Sequence, residues 1–141
     1  MPIPLITTEL IAKSKTCDNG WSLLQLEDVR SQAAAKGNGV NTFFDFEAIS
    51  GPGNSDDNAG RRITYLVSGA GLEAGVADVI NIYIQLLCAL TNSTAAEIQG
   101  QEIDEKNLIG LKVWADIGER AVEGKLYKDF KCFSPADATP F

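Results

Sequence analysis

From Val40 to Ile49 the chain alternates. Val40, Thr42, Phe44, Phe46 and Ala48 fall on one side of an extended backbone, and Asn41, Phe43, Asp45 and Glu47 on the other. A period of two fits a strand with one face in a core and one toward water. A lone strand is not stable in water, so the rest of the chain must supply partners. Residues 21–30 alternate more roughly. Residues 61–68 set Ile63, Tyr65 and Val67 against Arg62 and Thr64. Between these stretches lie a flexible connection at 31–39, with Lys36-Gly37-Asn38-Gly39, and a Gly-, Pro-, Asn- and Asp-rich loop at 51–60. Both carry the residues that turns demand.

Past the glycines at 69 and 71 the period changes. Apolar residues at 72, 76, 79, 80, 83, 86, 87 and 90 predict a helix over 72–90. An acidic linker follows, holding Glu97, Glu102, Asp104 and Glu105. Two further strands are expected over 109–117 and 125–133, joined by a loop at 118–124. Three strands, a helix and two strands is the order of a five-stranded OB-type Greek-key barrel, with its one helix between strands 3 and 4. The expected organisation is an irregular lead-in at 1–19, the OB domain at 20–133 and a flexible tail at 134–141.

Composition narrows the chemistry. The chain of 141 residues contains no histidine. That removes the commonest general base, the commonest metal ligand and every Ser-His or Cys-His pair, so no enzyme activity, metal or cofactor is expected. Cys17, Cys88 and Cys132 are far apart and odd in number, which suits free thiols in a reducing compartment. No basic-then-apolar leader and no long apolar run is visible, so the expectation is a cytoplasmic chain without a membrane partner. The net charge of −7 counts against nucleic acid. Its distribution counts the other way: residues 106–131 hold six bases against four acids, and binding responds to the local field.

On an OB barrel, strands 2 and 3 and the loops joining strands 1–2 and 4–5 form the binding face. Phe43 is the aromatic on the polar side of strand 2. On strand 4 the alternation puts Leu111, Val113, Ala115 and Ile117 inward and Lys112, Trp114 and Asp116 outward. On strand 5, Tyr127 opposes Leu126, Phe130 and Cys132 and lies beside Lys125 and Lys128. Flat rings interleaved with cations suit unpaired bases and their phosphates. The expected DNA contacts are therefore Phe43, Trp114 and Tyr127 for stacking and Lys36, Arg62, Lys112, Arg120, Lys125 and Lys128 for phosphate. An exposed ring covered by a neighbouring loop is the competing reading at each position.

Two other patterns are read as structural. Gly69-Ala-Gly71-Leu-Glu-Ala74 matches a dinucleotide fingerprint with Ala last, yet no second strand ending in an acid follows its helix, so the glycines are read as a turn. The acidic pairs Asp56-Asp57 and Asp104-Glu105 are read as solvated turns.

Gly20-Trp-Ser-Leu-Leu-Gln-Leu-Glu-Asp-Val29, Phe43-Phe-Asp-Phe-Glu47, Gly60-Arg-Arg-Ile-Thr-Tyr-Leu-Val67, Leu86-Leu-Cys-Ala-Leu90 and Leu108-Ile-Gly-Leu-Lys-Val-Trp114 resemble a family of bacteriophage OB-fold single-stranded DNA-binding proteins. The resemblance covers residues 18–135 and implies an accessory role in replication or recombination, with single-stranded DNA as partner. Asp137-Ala-Thr-Pro140-Phe141 is similar to the Pro-Phe tail by which bacterial proteins of this kind recruit enzymes, although Asp137 is its one acid. The partner expectations are thus single-stranded DNA and replication or recombination enzymes at Asp137, Pro140 and Phe141, with room for a homo-oligomer. The rivals are a barrel docking protein, for instance in a virion, and a small-nucleotide enzyme using residues 69–74.

Overall fold

The structure, a computed structural model, describes residues 5–8, 11, 15–33 and 39–141. Five strands make one antiparallel sheet: β1 (Gly20–Ala33), β2 (Val40–Ser50), β3 (Arg62–Val67), β4 (Lys112–Val122) and β5 (Lys125–Pro135), in the order β3-β2-β1-β4-β5. The central β1 pairs along its length with β2 and, through Gly20–Gln25, with β4. Every pairing is antiparallel, so the edge strands β3 and β5 run in the same direction.

The alternation drives the curl of this sheet. Leu24, Leu26, Phe44, Phe46, Ile63, Tyr65, Val113, Ile117, Phe130 and Phe133 all face one core. Burying each large side chain contributes about 1.5–3 kcal/mol. The curl brings the edges together: the Tyr65 ring stands edge-on to Phe130 and to Phe133, each at 5.4 Å between centroids. That burial pushes the Tyr65 hydroxyl pKa well above its usual value. Among the described residues no ladder hydrogen bonds join β3 to β5, so the sheet is not closed.

Between β3 and β4 the single expected helix is replaced by α1 (Gly69–Glu73), α2 (Ala77–Thr91), α3 (Ala95–Ile98) and a 3-10 turn at Glu105–Leu108. The break comes at Gly75, whose φ of 72° is left-handed. The Val76 amide there donates back to the Gly71 carbonyl at 3.0 Å. Such a closure ends a helix even where the apolar period runs on. Leu86, Leu87 and Leu90 carry α2 into the core, and Gln85 accepts the Phe133 amide at 3.2 Å. Gly69 is required by packing, since a Cβ there would lie 2.1 Å from the Val40 carbonyl oxygen.

Three further sequence expectations give way. The loop at 118–124 is strand on both sides of a tight turn, Glu123-Gly124, with φ of 52° and 81°. Two positive-φ residues match the right-handed twist of a hairpin. Gly118, at the start of that expected loop, lies in β4 under the Lys131 side chain, whose Cε would be 2.6 Å from an added Cβ. β4 begins at Lys112 rather than 109, after Gly110 at φ 93°, which leaves Leu111 outside the strand and exposed instead of inward. A bulge between the Asp116–Cys132 and Ile117–Phe130 pairs absorbs Lys131 and reverses parity. Phe133, not Cys132, therefore joins Phe130 inside, and Leu126 lies open on the hairpin.

The end of the lead-in is docked through a buried amide. Asn58 is fully buried in the β2–β3 loop. Its Oδ1 accepts the Asp18 amide at 2.7 Å, and its Nδ2 donates to the Asp18 carbonyl at 3.1 Å and to Ser22 Oγ at 2.8 Å. The neighbouring Cys17 is equally buried, and desolvation pushes its thiol up to about 11 despite the nearby Arg61. A thiol held this way is a packing group rather than a nucleophile. Among the described residues no helix is long and apolar enough to cross a membrane, and no cluster of side chains could hold a metal.

Candidate nucleic-acid interface

The β4–β5 hairpin outruns the rest of the sheet. β1 covers β4 only as far as Ile117, and the pairs Glu119–Lys128, Arg120–Tyr127 and Val122–Lys125 project beyond it. A cleft of about 1000 Å³ lies between this arm, the edge strand β3 and the start of α2. Thr64, Leu66 and Ser68 come from the β3 side, Asn81 and Gln85 from α2, and Arg120, Tyr127, Lys128, Asp129 and Lys131 from the arm.

Of the residues expected to bind DNA, the cleft brings together Arg120, Tyr127 and Lys128. Tyr127 is half-exposed. Lys128 is already engaged: its Nζ lies 3.0 Å from Glu119 Oε1 and donates to Asn19 Oδ1 at 2.8 Å. Its charge is largely spent within the protein. Among the described residues no ion pair holds Arg120, Lys125 or Lys131. Asp78 and Asp129 add negative charge to the same walls, so the cleft is mixed rather than uniformly basic.

Phe43 adjoins the cleft through its cross-strand partner Leu66, which is 51% exposed. Its ring is covered by Arg30, whose guanidinium carbon sits 4.9 Å from the ring centroid. Arg30 is fixed in turn by Asp45, with Nε donating to Oδ2 at 2.6 Å and Nη2 to Oδ1 at 3.0 Å. Thr64 Oγ1 donates to the same carboxylate at 2.7 Å. The Arg30 hydrogen bond, with help from Thr64, holds the Asp45 carboxyl below its usual pKa, and Asp45 raises that of Arg30.

The other expected contacts fall elsewhere. Arg62 is exposed at the start of β3, opposite Glu47, and Lys125 sits at the hairpin turn. Lys112 lines a separate cavity of about 350 Å³ with Leu111, Asn92 and Asp137. Lys36 lies outside the described residues. Trp114 is the clearest correction. It turns away from the core as its parity requires, yet it is only 8% exposed. The tail folds back over it, and the Phe141 ring stands edge-on at 5.5 Å. The expected flexible tail is therefore packed: β5 runs to Pro135, and Asn92 Nδ2 donates to Asp137 at 3.4 Å. Pro140 is half-buried.

Sequence reasoning missed Leu66, Lys131 and Arg30. Strand parity alone puts Leu66 beside Thr64 on the outer face of β3. The same alternation puts Lys131 on the side of Tyr127, and Arg30 needed the register that pairs it with Phe43. No protein-family model and no curated protein matches this chain.

Proposed function

We propose that this protein is an OB-type single-stranded DNA-binding protein that holds unpaired bases in the cleft between β3 and the β4–β5 arm, with no chemistry done on them. The observation that carries the reading is the cleft itself: an open tyrosine beside Arg120 and Lys131, at the mouth between two edge strands. The strand order β3-β2-β1-β4-β5 supports it, being that of a Greek-key OB barrel left open between its third and fifth strands. Rings stack on bases irrespective of sequence, and cations replace the counterions of phosphates, so recognition is of single strands in general. The resemblance to phage proteins extends the proposal to replication or recombination in the host cytoplasm, with Asp137, Pro140 and Phe141 as a contact for partner enzymes.

Fluorescence anisotropy of labelled oligo-dT, at two salt concentrations and against duplex of equal length, tests this. The single strand should bind more tightly. Its log K should fall with log salt at a slope of about −1.4, from the cleft's two cations outside ion pairs, Arg120 and Lys131, at roughly 0.7 each on single strands. Absence of binding at low salt overturns the proposal.

A second reading rests on the arm's face opposite Tyr127, where Leu126, the cross-strand partner of Ala121, is 69% exposed. A barrel using that side to dock protein would keep its partner in the presence of excess oligonucleotide.

A further inference from the structure

We infer that the surface offered to a nucleobase beside β2 is the outer face of the Arg30 guanidinium, with Phe43 as its support and Asp45 and Thr64 as positioning residues. This rests on the single-stranded DNA reading above. Three observations carry it.

The first is cover. Arg30 lies over the Phe43 ring at 4.9 Å, so one face of the ring is taken before any ligand arrives. The second is rigidity. A bidentate grip by Asp45, itself held by Thr64, fixes a planar fork that would otherwise rotate. The third is access: the Arg30 side chain remains 52% exposed in spite of these contacts. A planar cation that lies over a ring and is still half open to solvent offers a stacking platform, and guanidinium planes serve bases in that way. Leu66, the cross-strand partner of Phe43, connects this platform to the cleft where Tyr127 stands.

The arrangement makes a prediction that a phosphate-binding arginine does not share. Asp45 already balances the charge of Arg30, so losing Arg30 should remove a stacked base without removing a phosphate contact. Lysine keeps the charge and loses the plane. Arg30→Lys and Arg30→Ala should each weaken oligo-dT binding by roughly five- to a hundredfold, the range of one base stack, with the salt slope unchanged. Asp45→Asn frees the guanidinium for phosphate and should steepen the slope by about 0.7.

Anisotropy titrations of wild type and these three variants over a salt series decide it, with thermal melts confirming that each is folded. If wild type binds and Arg30→Lys binds equally well, or if Arg30→Ala flattens the slope, Arg30 is an ordinary charge and the inference is overturned while the single-strand reading stands. If wild type fails to bind at low salt, both fall together.

Discussion

Trp114 and Tyr127 lie on the same outer face of one hairpin, and only one of them is available to a ligand. Trp114 sits at the root, where β4 is flanked by β1 and β5, and the C-terminal Phe141 folds across it. Tyr127 sits on the arm, beyond the reach of β1, and its side chain stays half-exposed. Both belong to a two-residue alternation, which assigns a side chain to a face. What then covers that face depends on how far neighbouring strands reach and where the tail goes. The root is built for stability and the arm is left free for contact.

This division is broken most directly at the root's inner face. Phe130 is buried between Tyr65, Phe46 and Phe133, at the place where the two sheet edges meet. Phe130→Ala should cost about 3–5 kcal/mol, the usual loss for a buried phenylalanine, because it removes both transfer energy and the filling of a cavity. Urea unfolding measures it. A loss below 1 kcal/mol would mean that the edges are not held together by these rings.

On the arm the expectation reverses. Tyr127→Ala should leave stability within about 0.5 kcal/mol, as for other surface changes. It should weaken single-strand binding by about 1–3 kcal/mol, the worth of one stacked base. Trp114→Ala, by contrast, should act mainly on the melt. Equal effects of the two changes on affinity would erase the distinction between root and arm.

Much of this molecule is legible in its alternating residues. The five strands, their order and the inward set of β2 and β3 follow from period two and from turn residues. Tyr127, expected from strand parity, Lys128 beside it and Arg120, expected on a loop, do line one cleft. What could not be read has definite physical causes. A single bulge at Lys131 turns Cys132 out and Phe133 in, and no local signal marks it. Gly118 falls in the expected loop at 118–124, but it is a strand residue packed beneath a lysine stem. The fates of Trp114 and Phe43 were hidden because each is covered by a residue from elsewhere, Phe141 from 27 positions on and Arg30 from the adjacent strand.

The cover over Trp114 is itself testable. An edge-to-face pair contributes about 0.5–1.5 kcal/mol beyond the area it buries. Phe141→Ala should therefore lower stability by about 1 kcal/mol and red-shift the tryptophan emission as the indole meets water. An unchanged spectrum would mean that the tail does not sit on Trp114 in solution, and the root would then be as open as the arm.

Phe43 gives the smallest effect and the one that depends on pH. Its cover is a guanidinium gripped by a carboxylate, so acid can loosen it where it leaves the cover over Trp114 alone. The Arg30 hydrogen bond sets the folded pKa of Asp45 below its value in the unfolded chain. Above the unfolded value, near 3.9, the carboxylate is ionised in both states and the whole contribution is present. As pH falls below that value and through the folded pKa, the unfolded chain takes up the proton first, and the contribution is lost. Solvent screens a pair this open, so the change should be small. Urea midpoints of wild type and Asp45→Asn, followed from pH 7 to below 3, should converge at the acid end. Midpoints that stay parallel would show that Asp45 does not hold Arg30 over the ring, and Phe43 would then be as uncovered as Tyr127.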